Sequence, residues 1–334
     1  MNLTPPILAL HLAALIQSLI FVLSTGFALR VQRQWDLNSG SQRQLELERL
    51  TYLMATLMAW VFGANLLSLL LFVSTAEQLS SQFVGAMCAT GVLNANSWGW
   101  PALMVKMALF FASAAWLILN AVDNRAPDYP LVRPKYALLL MIAPLAWADA
   151  LVQWLFFSGL RPDVITSCCG SLFSAQGQGV AAEVAGLEPG VSLGLLYGSA
   201  PLLLGLGWGY CRRGHGAWPF ASMAVLTFIL ALVAIVSGVA LYVYEHPHHH
   251  CPFCLLKGGH HYVGYGLYLP LFAATALALA AAVLEPWRKV PSLTAVIAAT
   301  GPRLVRLALV LYSLFYGLAT ALVLTSKLHL IGKP

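Results

Sequence analysis

Charge is what this chain has least of. Only 9% of its 334 residues are Asp, Glu, Lys or Arg, whereas 60% are hydrophobic. Soluble domains carry about a quarter of their residues as charges. A soluble fold is therefore excluded, and a polytopic membrane protein is expected. Nucleotide signatures are missing as well: neither a Walker loop nor a dinucleotide fingerprint occurs, so ATP-driven transport by this chain alone is not expected. Histidine is scarce inside the apolar stretches, where His11 stands by itself. One imidazole cannot make a bis-histidine haem b centre. Tandem repeats and low-complexity tails are also absent.

What is present is a series of long apolar runs. A bilayer core takes about 20 residues per helix, and spans are expected near 6–29, 50–74, 101–122, 136–157, 191–210, 219–244, 263–284 and 304–325. The fold class this implies is all-α, a polytopic bundle of about eight transmembrane helices forming a single domain over 1–334. No Lys or Arg precedes the first span and no small-residue cleavage site follows it, so it reads as a retained helix.

Basic residues set the orientation. Arg30, Arg33, Arg43 and Arg49 lie between spans 1 and 2, and Arg125, Arg133 and Lys135 between spans 3 and 4. Arg212 and Arg213 follow span 5, and Arg288, Lys289, Arg303 and Arg306 separate spans 7 and 8. The opposite loops and tails hold only Arg161, Lys257, Lys327 and Lys333. The positive-inside rule then predicts both termini outside, in a bacterial inner membrane. The net charge of +6 is thus a topology signal rather than a sign of nucleic-acid binding. The polar segment 31–49 is expected to form an interfacial helix, and 285–303, with Pro286, Pro291 and Pro302, a cytoplasmic loop.

On this topology the outside loops 75–100, 158–190 and 245–262 carry Cys88, the adjacent pair Cys168 and Cys169, and Cys251 with Cys254. Cys211 alone falls at a cytoplasmic helix end. Thiols gathered on an oxidising face suit disulfides or a redox centre.

The segment Glu245–Tyr262 is the richest in chemistry. Its Cys251-Pro-Phe-Cys254 tetrad has dithiol spacing and resembles the active-site tetrad of glutaredoxins, over those four residues only and with no βαβ pattern around it. Pro252 suits the first position of a helix, which would leave Cys251 at the cap with a lowered thiol pKa. Cys251 would then attack a disulfide, Cys254 would resolve the mixed intermediate, and Cys168 and Cys169 would be the exchange partner. That logic is similar to membrane thiol oxidoreductases that couple periplasmic cysteines to quinone.

Metal binding is the competing reading. Cys251 and Cys254 are soft ligands, and His248, His249, His250, His260 and His261, with His246 beside them, are borderline ones; copper or zinc fits such a set. A plain structural disulfide or a solvated histidine loop would account for the same residues. A c-type haem is disfavoured because Leu255, not His, follows the tetrad.

Inside the spans, Lys106 and Asp149 are expected at similar depth as an ion pair, with a quinone or a proton path as the functional use. The plainer alternative is a snorkelling lysine and an aspartate bonded to backbone. Three functions stay open: thiol–disulfide redox or electron transfer, which leads; soft-metal binding or transport; and an anchor subunit of a larger redox complex. The partners they imply are the lipid bilayer, a periplasmic thiol or cytochrome, and other membrane subunits, with no nucleic acid.

Overall fold

The computed structural model describes residues 4–36, 39–161 and 180–330. These residues are helical with no strand among them. The helices are α1 (Pro5–Gln34), α2 (Gln42–Leu79), α3 (Ala89–Leu93), α4 (Gly99–Asp123), α5 (Val132–Ser158), α6 (Val180–Ala185), α7 (Pro189–Arg213), α8 (Ala217–Ala234), α9 (Ala240–Tyr244), α10 (Val263–Leu284) and α11 (Pro291–Thr325). A π-helical turn at Ile235–Val239 joins α8 to α9. Among the described residues eight helical stretches are long and apolar enough to cross a membrane. Large apolar side chains such as Leu19, Leu23, Trp60, Leu202 and Leu314 point outward and are exposed. An apolar outer surface on apolar helices suggests a multi-pass membrane protein.

The expected spans match, but two connections differ. The segment 31–49 does not form a separate helix: α1 runs on to Gln34 and α2 already begins at Gln42. Ser41 Oγ accepts the Gln44 backbone N–H at 3.3 Å, an N-cap bond that starts α2 early. The expected loop 285–303 is helical from Pro291 onward. Pro291 needs no amide partner at a helix start, and Leu293 and Ile297, one turn apart, are both buried. Pro302 inside α11 removes one backbone bond without ending the helix.

The chain divides into two compact units. Unit 1 comprises Met1–Ala76, Ala95–Pro162 and Pro286–Thr300. Here α5 packs against both α1 and α4, around a core that includes Phe21, Phe62, Trp116, Tyr136 and Ile142. Unit 2 comprises Glu77–Asn94, Asp163–Glu285 and Gly301–Pro334. In it α8 packs against α7 and α10. Two pairs of its buried hydroxyls meet across helices: Tyr312 Oη lies 2.8 Å from Thr275 Oγ1, and Ser199 Oγ lies 2.9 Å from Tyr316 Oη. Such bonds fix helix register where few other polar groups are available.

Candidate metal centre

All three placed cysteines of the expected outside loops belong to unit 2, and the fold brings them together. The Sγ atoms of Cys88, Cys251 and Cys254 all lie within 4.8 Å of one another. Cys88 and Cys251 are fully buried, and Cys254 is 6% exposed. Cys88 Sγ is 3.3 Å from Cys251 Sγ, well beyond a disulfide bond of about 2.05 Å. Thr90 Oγ1 lies 3.2 Å from Cys251 Sγ.

Each cysteine is positioned by a local device. Cys88 follows a turn in which Gly85 takes φ 86°, and it caps the short helix α3 in an extended conformation. Cys254 opens a single 3-10 turn, Cys254–Leu256, that packs on α10. This contact needs Gly264: a Cβ there would meet Leu255 Cβ and Leu256 Cδ2 at 2.9 Å. Left-handed residues bend the chain at either end of the segment, Glu245 at φ 52° and His261 and Tyr262 at φ 53° and 55°.

Pro252 does not begin an α-helix, which corrects the expectation that Cys251 caps one. A helix would use the carbonyls of Cys251 and Pro252 for amides further along. Instead Tyr244 Oη donates to Cys251 O at 2.6 Å and Tyr268 Oη donates to Pro252 O at 3.0 Å. The Leu256 amide pairs with Phe253 O at 2.9 Å, a 3-10 bond.

One clamp ties the Cys88 loop to the Cys251–Cys254 loop. Glu77 accepts the Ala89 amide at 2.8 Å and pairs with Lys257 Nζ at 3.1 Å. Lys257 also donates to Met87 O. Burial works against the Lys257 charge, but the hydrogen bond and charge of Glu77, followed by the Cys254 and Cys88 sulfurs, raise its pKa above the ordinary lysine value. The Lys257 ammonium thus supplies a local countercharge beside the Cys254 and Cys88 sulfurs.

The histidines are placed elsewhere. The sulfur group has no imidazole among its members. His250 Nδ1 lies 3.1 Å from Val236 O, in the π-helical turn. Burial, aided by His248 and His249 and opposed by that carbonyl, lowers its pKa. The Tyr244 ring sits between His249 and His260, with centroids 4.1 and 4.5 Å away. Burial first, then His249 and His261, lowers the His260 pKa. His246 and His248 face one another with centroids 6.0 Å apart, and His261 serves as the left-handed cap of the Gly258–His260 turn.

Cys168 and Cys169 lie outside the described residues. Cys211, on α7, is apart from the sulfur group, with its Sγ 3.9 Å from Pro302 O. Lys106 and Asp149 form their ion pair at 2.9 Å in unit 1, with side chains only 2% and 3% exposed. Lys106 Nζ also stands 5.6 Å from the Phe72 ring centroid. A second buried pair, Lys135 Nζ to Asp123 Oδ2 at 2.6 Å, was not foreseen. Lys135 had been counted among loop charges, although it lies in α5. Sequence reasoning also passed over Cys88 as a principal ligand, and over Thr90, Glu77 and Lys257. The available signal for Cys88 was the expectation that its loop shares a membrane face with Cys251 and Cys254.

Three sulfurs around one ion at a metal–sulfur distance of about 2.3 Å would stand about 4 Å apart in a trigonal plane. The observed grouping needs small side-chain adjustments to reach that geometry. Zinc sites are four-coordinate, and among the described residues no fourth ligand joins the three sulfurs. A three-sulfur group is better matched to Cu(I).

Among the described residues, these features define an all-helical protein with eight apolar helices and a buried three-cysteine cluster. No family model, curated protein or solved structure matches the chain.

Proposed function

We propose that this protein binds a thiophilic monovalent ion of the Cu(I) type through Cys88, Cys251 and Cys254, at the outer face of a bacterial inner membrane. The observation that carries this reading is the convergence of three buried sulfurs from two separate loops. Burial argues against a thiol that must meet a large disulfide partner, because exchange requires access to the attacking sulfur. It suits a soft ion, which needs only a narrow entry path. The basic loops support the outward assignment through the positive-inside rule.

The test is anaerobic titration of the reduced, full-length protein in detergent with Cu(I), against a chromophoric Cu(I) chelator. The expected result is one equivalent taken from the chelator, and loss of that competition in Cys88→Ser as well as in Cys251→Ser and Cys254→Ser. Equal retention in Cys88→Ser would remove the three-sulfur site.

Thiol–disulfide exchange is kept as a second reading because of the 3.3 Å approach of Cys88 Sγ to Cys251 Sγ. In that reading the S–S bond of a small disulfide breaks, its two sulfurs take up two electrons and the two thiol protons and leave as two thiols, and a Cys88–Cys251 or Cys251–Cys254 bond forms. Mild oxidation of the metal-free protein followed by peptide mapping checks this. The exchange reading fails if a linked peptide containing Cys251 does not appear.

A further inference from the structure

Unit 1 contains a cleft of about 300 Å3 at the helix ends that carry the arginine-rich loops. A volume of that size is at the lower end of small-molecule sites. Its walls are aromatic and its charges are acidic: Trp35, Tyr52 and Tyr129 line it together with Glu48 and Asp128.

The lining cation is already neutralised. Lys135 Nζ is held by Asp123 Oδ2 at 2.6 Å and Asn120 Oδ1 at 3.2 Å. What faces the opening is therefore net negative. Thr51 lines the same cleft and is 6% exposed, and its hydroxyl has no hydrogen-bond partner among the described residues. The walls are held in place by bonds independent of any ligand. Arg133 Nη2 donates to Trp35 O at 2.5 Å, Tyr136 Oη donates to Thr51 O at 3.2 Å, and Asp123 Oδ1 accepts the Leu131 amide at 2.8 Å. Tyr129 adopts a left-handed φ of 45°, unusual for a bulky side chain, at the bend that brings its ring to the cleft.

Carboxylates set among aromatic rings recognise organic cations, by charge and by cation–π attraction. Gln44 Nε2 donates to Glu48 Oε1 at 2.9 Å, but no cation among the described residues offsets either carboxylate. An anion would meet Glu48 and Asp128, and a neutral apolar ligand would desolvate both charges without a countercharge. We infer that this cleft of unit 1 binds an organic ammonium group, with Glu48 and Asp128 supplying charge, the three rings its walls, and Thr51 a hydrogen bond to a polar atom beside the cation. The ammonium can come from a soluble amine or from an aminophospholipid headgroup, since the chemistry is shared.

The experiment uses full-length protein in detergent and choline as the soluble probe, with 3,3-dimethyl-1-butanol as its uncharged analogue. Calorimetric titration is expected to give saturable choline binding and none for the alcohol. Asp128→Asn and Tyr52→Ala should each weaken choline binding by about tenfold. Tyr52 is 76% exposed, so its truncation leaves the fold intact and serves as the second variant. In parallel, nanodiscs of mixed phosphatidylethanolamine and phosphatidylglycerol are used to count lipids retained on re-extraction. Retention of phosphatidylethanolamine by the wild type, lost in both variants, identifies a headgroup as the source. Choline binding without lipid retention identifies a soluble amine. The inference is overturned if neither arm shows ammonium binding, if the alcohol binds as well as choline, or if both variants behave as wild type.

Discussion

At the scale of single residues, the informative groups are those that a hydrocarbon-like interior can least tolerate. Lys106 and Asp149 are nearly inaccessible and lie 2.9 Å apart. Asp149 Oδ1 has no hydrogen-bond partner among the described residues, and neither does Gln153 Oε1 one turn away. A buried pair of this kind is weak evidence for stability, because desolvation offsets most of the attraction. Removing one partner is different, since it strands a charge. Asp149→Asn should cost about 3–5 kcal/mol, whereas Lys106→Met combined with Asp149→Leu should recover most of that loss. Thermal unfolding of the two variants in the same detergent decides the matter. A double variant as unstable as the single one would mean that the pair holds unit 1 together by itself.

At the scale of elements, the candidate site depends on a turn and a helix that meet without a spacer. Gly264 on α10 faces the Cys254 turn so closely that a Cβ would stand 3.0 Å from the Leu255 carbonyl carbon. Backbone cannot give way as a flexible side chain can. Gly264→Ala should therefore shift the 3-10 turn and cost about 1–3 kcal/mol of local stability through overpacking. It should also weaken Cu(I) retention although every sulfur remains. Faster hydrogen exchange at the Leu256 and Lys257 amides, with unchanged exchange in α1 and α5, is the expected signature. Unchanged exchange at Leu256 would show that the turn accommodates the methyl.

These elements also show what the sequence could reveal. The eight apolar runs were legible because each exceeds the length that a bilayer core demands, and composition alone encodes that. The pairing of Lys106 with Asp149 was legible for a related reason, since two charges at equal depth have few other solutions. The sulfur cluster was only half legible. Loop topology predicts Cys88 on the same face as Cys251, but the two are separated by 163 positions. Their meeting depends on Glu77 and Lys257, whose pairing no local pattern announces. The histidines look like ligands in sequence, yet the Tyr244 ring and the Val236 carbonyl engage three of them. The helix expected at Pro252 fails because two tyrosine hydroxyls take its carbonyls. Tertiary hydrogen bonds decided these outcomes, and spacing does not encode them.

At the scale of the whole molecule, orientation is the property on which the proposed chemistry rests. Thiols on an oxidising face must compete with disulfide formation, whereas the same thiols in a reducing compartment would not. The basic residues predict that the loops at 30–49, 123–135 and 285–290 face the cytoplasm. The stretch 245–262 would then face outward. The bias is carried by short loops within reach of the span ends, which is where the rule is strongest. Alkaline phosphatase, active only after export, reports this directly when fused after His260 or after Lys289. Activity is expected from the His260 fusion and little from the Lys289 fusion, with a green fluorescent reporter giving the opposite pattern. The reverse result would put Cys88, Cys251 and Cys254 in the reducing compartment. There a three-sulfur Cu(I) site could still bind its ion, but the exchange reading would lose its oxidising partner, so the fusion result discriminates between the two chemistries.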